Sequence, residues 1–477
     1  MMDGCWFFGA GKKGRAWLKR FRDFGVVPEG FLDNRRELHE TFCEDILICS
    51  PEKLDLSQLR FIFITCKEEA DIKKQLLELG IPEHKIVYHD HNILNHLLYE
   101  AAKRVIPASS ERNHYESRTK ETIFLDLQNG MVLGGVESWS YELARRLTDI
   151  GYQGQYLTTD VTEPTVEDDA FPSCIPLYQK MEKDVDKIKA CVQKISEHLP
   201  CTIICNFPQL IFWSACIARQ LYPKQVRVIA VQHNDSRIYY ETYSLWQEFI
   251  DKCVVISSRM EEKLLSFGMR AEKLVTMNWQ IECEEYLERS WSKEGECFQI
   301  GYAGRITTAQ KRVDLFLVLA EKLKERGLSF QFHIAGSGEY SEALKRSIEE
   351  KQLQGYLIME GHIDRKNIPD FWSRQDIMVS CSEWEGHSIS QAEAMARGAV
   401  PVVTDVSGAY DDIQDGYNGF VIEVGDLDGM VERICDLYHN RKQLEEMGTC
   451  AHDRIYRQHI QMDQTRDWEN WLENIWL

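Results

Sequence analysis

The sequence has no apolar run of about 18 residues, the length a membrane-spanning helix needs. Its first residues, MMDGCWFFGAGKKGR, place the basic residues after the apolar ones, the reverse of a signal peptide. A cytoplasmic protein is therefore expected, with peripheral attachment at the inner face of a membrane left open. Positive charge is also short. Against 76 Asp and Glu stand 56 Lys and Arg, a formal net charge of −20, which excludes a protein that coats nucleic acid or anionic lipid over a broad surface. A local basic cleft stays open, but nucleic acid is not an expected partner. The 15 cysteines are scattered, odd in number and never spaced C-x-x-C, so they read as reduced core residues and not as a disulfide or zinc framework. What is present is an ordinary globular composition, 44% hydrophobic and 28% charged over 477 residues, enough for two to four domains.

The chain begins with an apolar strand and then Gly9, Gly11 and Gly14, a G-x-G-x-x-G that opens a helix. Asp33 follows where a dinucleotide-binding fold would hold a ribose hydroxyl. The motif can hold a nucleotide phosphate or simply allow tight strand-to-helix packing, and the packing reading is favoured because a lone motif is weak. Strand and helix patterns continue through HKIVYH and define a Rossmann-like domain over residues 1–106. It resembles the small N-terminal Rossmann domains attached to sugar O- and N-acyltransferases. Docking, oligomer formation through this domain and nucleotide sensing are all open roles. Residues 107–119 are polar, lack an apolar period and read as a linker.

A second α/β domain is expected over residues 120–292. In its first loop Gly134 and Gly135 precede an amphipathic helix, so backbone N–H groups at the helix start can approach an anion closely. The strand RVIAVQH ends at His233, a position at a strand's carboxyl end. The spacing predicts a surface helix over 178–199 with Met181, Val185, Ile188, Val192 and Ile195 turned inward. A third domain is expected over 293–477. There a strand leads to Gly304 and Arg305, and Lys311 and Arg312 are read as opening a helix. Arg305 offers a planar fork of donors and Lys311 a point charge, a pairing suited to the oxygens of a diphosphate.

The stretch from Asp376 to Thr404 reads as strand, loop, helix and strand, with Gly398 ending the helix. Its loop carries Glu385, and Glu393 lies eight positions later on the helix. Two carboxylates so placed can accept hydrogen bonds from separate hydroxyls of one extended ligand, and sugars are the ligands richest in hydroxyls. As residues alone, the two are equally well read as solvated acids.

GGVE at 134–137, the histidine ending VIAVQH, GR at 304–305 with Lys311, AGSGE at 335–339 and EGHSISQAEAMARGAVPVV occur in one order over about three quarters of the chain. In this the chain resembles the GT-B glycosyltransferases of family 4, which transfer sugar from a nucleotide diphosphate sugar with retention of anomeric configuration. The resemblance implies two Rossmann-like domains facing a cleft, after the accessory N-terminal one, with the last helix packing back on the middle domain. It implies that Gly134 and Gly135 bring N–H groups toward the donor phosphates and that Arg305 and Lys311 grip the diphosphate. Glu385, with the backbone N–H groups of Gly386, His387, Ser388 and Ile389, would hold the donor sugar. Glu393 would hold the ribose, and His233 would lie beside the transferred sugar. His387 and Ser388 stand where the family usually has Phe and Gly, which leaves the sugar's identity open.

The resemblance implies no cofactor and no metal: the substrate is a nucleotide sugar, UDP being the commoner base, and the acceptor a glycan, a lipid-linked sugar or a protein. The metal-dependent alternative needs a D-x-D motif, and the chain has two. Asp184 and Asp186 fall in a helix, and Asp426, with Asp428, reads better as a helix N-cap. A silent partner of another transferase and a sugar-nucleotide epimerase or hydrolase of the same fold remain the competing functions.

Overall fold

A computed structural model of the chain describes residues 2–106, 121–128, 130, 134–159, 170–171, 174–176, 181–277, 281–461 and 464–474. The linker assigned to 107–119 and the last tryptophan, Trp476, lie outside the described residues. By contacts the chain divides into two compact units. One comprises Met1–Val132, Tyr152–Ile229 and Glu241–Asp251, the other Leu133–Gly151, Ala230–Tyr240 and Lys252–Leu477.

The first unit begins with a six-stranded sheet. From one edge its strands run Phe42–Cys43, Ile46–Cys49, Pro28–Leu32, Met2–Phe8, Phe61–Ile64 and Ile86–Val87. Only the Phe42–Cys43 edge pairs antiparallel. Phe7, Phe21, Phe31 and Phe63 meet edge to face in its core, with ring centroids 4.8 to 5.9 Å apart, a geometry that suits the aromatic quadrupole. The same unit holds a parallel ladder of Cys201–Cys205, Thr122–Asp126, Gln153–Thr158 and Cys174–Pro176. Buried Asn95 joins the two parts: its carbonyl accepts from the indoles of Trp213 at 2.9 Å and Trp246 at 2.7 Å. The predicted surface helix is shorter than its pattern, Asp184–Ser196, and Met181 lies before it, 38% exposed, because Lys183 is the N-cap and the chain is extended there. Ile188 and Ile195 are buried as predicted, and Cys191 completes the inner face.

The second unit contains a six-stranded parallel sheet in the order Leu357–Gly361, Phe330–Ala335, Phe298–Ala303, Ile377–Ser380, Val400–Thr404, Phe420–Ile422. Numbered along the chain, that order is 3-2-1-4-5-6, the doubly wound arrangement. Its strands Ile377–Ser380 and Val400–Thr404 are apolar runs buried on both faces, as inner strands of a parallel sheet require, while the edge strand Leu357–Gly361 is partly exposed. The chain reverses direction of winding between Phe298–Ala303 and Ile377–Ser380, and a crevice opens at the carboxyl ends of such a pair. Arg305 leaves the first of these strands and Glu385 the second.

Within this unit the terminal helix Gln464–Asn474 packs on the helix Gly135–Asp149, with Trp468 and Trp139 6.2 Å apart. The helix read as opening at Lys311 begins instead at Leu315. Arg312 has φ of 49°, outside the helical region, so Lys311 and Arg312 stay on the preceding loop. Asp426 is an N-cap as read, accepting from the Gly429 N–H at 2.9 Å, while Asp428 pairs with Lys322.

Candidate functional site

The site is built where two loops leave the sheet together. Gly336, at φ of 133°, lies so near the loop after Phe298–Ala303 that a Cβ there would stand 1.9 Å from the Gly304 carbonyl. The Gly304 N–H bonds the Ala335 carbonyl at 3.0 Å and the Ile306 N–H bonds that of Ser337 at 3.0 Å. The Tyr302 hydroxyl then donates to the Arg305 carbonyl at 2.8 Å. These contacts fix the backbone at Arg305 and leave its guanidinium exposed at the mouth.

From there the loop clamps onto the segment after Ile377–Ser380. Arg305 donates to the Gln310 side-chain oxygen at 2.7 Å. The Gln310 amide donates to the Trp384 carbonyl at 3.1 Å and to Glu385 at 3.3 Å. Lys311 and Glu385 form an ion pair, both largely buried. Arg305, Lys311 and Glu385, which lie up to 80 positions apart, thus share one network with Gln310 as the bridge. Sequence reasoning missed Gln310; its place beside Lys311 in a polar loop was the only signal.

The loop from Glu385 to Ile389 is held from two sides. A Cβ on Gly386 would stand 2.3 Å from the His233 carbonyl, so glycine is what lets the strand end at His233 meet this loop. The Ser388 hydroxyl accepts from the Gln391 N–H at 3.3 Å and N-caps the helix Ile389–Ala396, while Ser390 donates to the Ala303 carbonyl at 2.8 Å. His387 turns inward toward Asp412 and away from the mouth. The His233 ring lies edge to face on Trp139, centroids 4.8 Å apart, and burial pushes its pKa down to about 3, so the imidazole is neutral.

Gly134 N-caps the helix Gly135–Asp149 and Gly135 begins it. The carboxylate of Glu137 covers Gly134: one oxygen lies 2.1 Å from where a Cβ would stand. Burial raises the Glu137 pKa, opposed by its own backbone N–H and by the charge of Arg305. Glu137 was not singled out from the sequence, although its place three residues after a Gly N-cap is where a carboxylate faces free helix N–H groups.

Glu393 belongs to different surroundings. It lines a cavity of about 490 Å³ with Glu142, Arg145, Arg146, Arg365 and Arg397. Burial pushes its pKa up to about 7, moderated by Arg365. The two acids eight residues apart therefore differ: Glu385 is paired with a lysine, and Glu393 is half ionised near neutrality beside arginines.

The Gly-rich turn of the first unit is filled by the chain itself. A Cβ on Gly14 would lie 2.0 Å from the Gly9 carbonyl, which is tight helix-to-strand packing. Asp33 accepts from the Ala10 N–H at 3.0 Å and from both arms of the Arg35 guanidinium at 2.9 Å. Its pKa is lowered, because bonds from Arg35 and Ala10 outweigh burial. Among the described residues no group of three or more His, Cys, Asp and Glu could hold a metal ion.

Profile comparison matches residues 133–278 to the family described as Glycosyltransferase Family 4 and residues 285–454 to Glycosyl transferases group 1. Residues 1–87 match the family described as C2185-like, N-terminal. The poly(ribitol-phosphate) alpha-N-acetylglucosaminyltransferase of Staphylococcus aureus is 29% identical over 174 residues, 36% of this chain and 34% of that protein. The colanic acid biosynthesis glycosyltransferase WcaL of Salmonella typhimurium, itself a putative assignment, is 24% identical over 47% of this chain and 57% of its own. The chain thus spans about a third to three fifths of the length of such relatives. Among solved structures, S. aureus TarM in complex with Fondaparinux, alpha-GlcNAc-glycerol and UDP aligns over all of both chains, at 15% identity and a TM-score of 0.53. Anabaena HepE in complex with UDP-glucose aligns over 71% of this chain and 97% of its own, at 16% identity and a TM-score of 0.56. These structural likenesses establish the fold.

Proposed function

Taking as premise that the chain is a GT-B glycosyltransferase with family 4 and group 1 domains, we propose that it moves a hexose-type sugar from a UDP-sugar to a cell-surface glycan or its lipid- or protein-linked precursor, with retention and without a metal. The observation that carries this reading is the network of Arg305, Gln310, Lys311 and Glu385 at the reversal point of the doubly wound sheet. Breaking the anomeric bond leaves positive charge on the sugar ring and sends the electron pair to the diphosphate. Cations fixed at the phosphates stabilise that charge as it grows. Arg305 is exposed at the mouth to meet the phosphates and Lys311 stands behind it. At the N-terminus of the helix Gly135–Asp149 the carboxylate of Glu137 covers Gly134, so a donor phosphate approaching there displaces that side chain to reach the helix N–H groups.

The Lys311–Glu385 pair also links the diphosphate side of the site to the sugar side. Each charge satisfies the other, as a buried charge must be satisfied. A donor diphosphate gives Lys311 a second anion, and Glu385 then turns its oxygens to the sugar hydroxyls, with backbone N–H groups from Gly386 to Ile389 beside it. Glu393 holds the ribose, and neutral His233 lies against the transferred sugar. Relatives named for poly(ribitol-phosphate) glycosylation and for colanic acid and capsular polysaccharide biosynthesis support a surface-glycan acceptor, and the UDP complexes of structural neighbours support the base. No described helix is long and apolar enough to cross a membrane. We place the enzyme on the cytoplasmic side as part of this reading.

A panel of UDP- and GDP-sugars, assayed for nucleotide release with and without EDTA and for product anomeric configuration by NMR, tests the reading. EDTA-resistant release from a UDP-hexose with an axial-to-axial outcome is expected. Release that collapses with EDTA contradicts the metal-free step, and inversion contradicts retention. No release from any donor favours a silent partner.

A further inference from the structure

His387 and Ser388 are the two departures from the family pattern, and they have different fates. Ser388 caps a helix. His387 points into the protein, its side chain 3% exposed, with Nε2 3.1 Å from a carboxylate oxygen of Asp412, itself 1% exposed. Asp412 ends the short helix Ala409–Asp412 and accepts from Gln391 at 3.2 Å and from Gln458 at 3.3 Å. Those amides come from the helix that carries Glu393 and from the long helix Arg441–Gln461. Gly408 permits the approach, since a Cβ there would stand 2.7 Å from both the Gly386 carbonyl and the His387 Cα. On the other side Gly386 presses on the His233 carbonyl. The sugar-holding segment is therefore wedged between two backbones and pinned by one charge pair.

We propose that His387 and Asp412 are a positioning pair: their ion pair fixes the backbone from Glu385 to Ser388 between His233 and Gly408, so that donor affinity depends on the charge of one buried imidazole. What the loop holds rests on the reading above; that the pair holds the loop does not. A buried ion pair adds little net stability, but removing one partner strands the other charge. Its use here is to specify one placement of the loop.

Burial alone would disfavour the imidazolium. The carboxylate of Asp412 outweighs it, with Asp411 from the same short helix and Glu385 from the loop adding to the effect, so the His387 pKa is raised above its ordinary 6.5. Burial likewise opposes the Asp412 carboxylate, but His387, Gln458 and Gln391 together hold its pKa below the ordinary 3.8. The pair therefore stands between the lowered value of Asp412 and the raised value of His387. It is lost as pH rises through the latter.

Hydrogen exchange of the full chain, read by mass spectrometry over residues 382–396 from about pH 6 to about pH 9 and corrected for intrinsic rate, tests this. Wild type is expected to lose protection as pH rises. His387→Phe strands Asp412 and is expected to lose protection throughout. The double variant His387→Phe, Asp412→Leu, which replaces two charges by an apolar contact, is expected to show protection that does not change with pH. Donor KM should rise about tenfold at the alkaline end in wild type with kcat changing less, as when a residue supporting a ligand is removed, and should stay level in the double variant. Should the double variant not fold, Asp412→Asn carries the same comparison. Protection with the same pH dependence in wild type and charge-free variant, or none in wild type, would overturn the proposal. Expected exchange behaviour in a chain that turns over no nucleotide sugar would leave the positioning pair standing and remove the donor reading.

Discussion

Lys311 and Glu385 meet as an ion pair on side chains 17% and 10% exposed, each supplied by a loop leaving one of the two central strands of the C-terminal sheet. Sequence reasoning gave them separate partners, the diphosphate and the sugar. The structure joins them directly to each other, and this changes what substitutions should do.

Lys311→Ala leaves Glu385 buried without its cation, and Glu385→Gln leaves Lys311. Each single change is expected to abolish transfer, by about 100-fold or more, and also to lower Tm. The double variant should be equally inactive yet more stable than either single variant, because no charge is stranded. Thermal unfolding of the three variants beside wild type checks this; additive losses of Tm would show that the two residues do not act as a pair.

Glu393 gives a pH test. Its folded pKa, about 7, lies above its ordinary 4.5 because of burial. The folded state thus binds the extra proton, and Glu393 lowers stability progressively as pH rises from about 4.5 through about 7. If its anion accepts the ribose hydroxyls, UDP binding should tighten over the same rise. Calorimetric titration with UDP across that range should show this in wild type and a level affinity in Glu393→Gln. An unchanged pH dependence in the variant would remove Glu393 from the nucleotide site.

His233 titrates far below neutrality, at about 3. It should therefore contribute no limb to the pH–rate profile between about pH 5 and pH 8. His233→Asn should reduce kcat without moving the profile. A limb in wild type that disappears in the variant would mean that the ring ionises in this range and acts as a base.

Asp33→Asn tests the first domain. Asp33 holds the Ala10 N–H and Arg35, so the change should lower Tm by a few degrees and leave donor turnover unaltered. Because its folded pKa is lowered, the stability it adds is present above its ordinary value and is lost as pH falls through the folded one. The Tm gap between wild type and variant should close in acid. A variant that keeps its Tm but loses nucleotide response would restore Asp33 to a ribose-binding role.

Much of this architecture was legible because its cause is local. Ile377–Ser380, Ile389–Ala396 and Val400–Thr404 fall where apolar runs, a loop and Gly398 place them, and Asp426 caps the helix it precedes. What was not legible depends on distance along the chain. Nothing near His387 announces Asp412, 25 residues on, and nothing near Lys311 announces Glu385 as its partner. Lys311 and Arg312 read as a helix start because polar residues precede an apolar period, but a left-handed Arg312 delays the helix to Leu315. Gln310 and Glu137 escaped notice because a neutral bridge and a first-turn acid carry no motif of their own.

The most direct test of the central claim is UDP release from UDP-hexoses by wild type and by Arg305→Ala, whose exposed guanidinium bonds the neutral side chain of Gln310. The account predicts release by wild type and a loss of about 100-fold or more in the variant at unchanged Tm. Undiminished release by Arg305→Ala would contradict it.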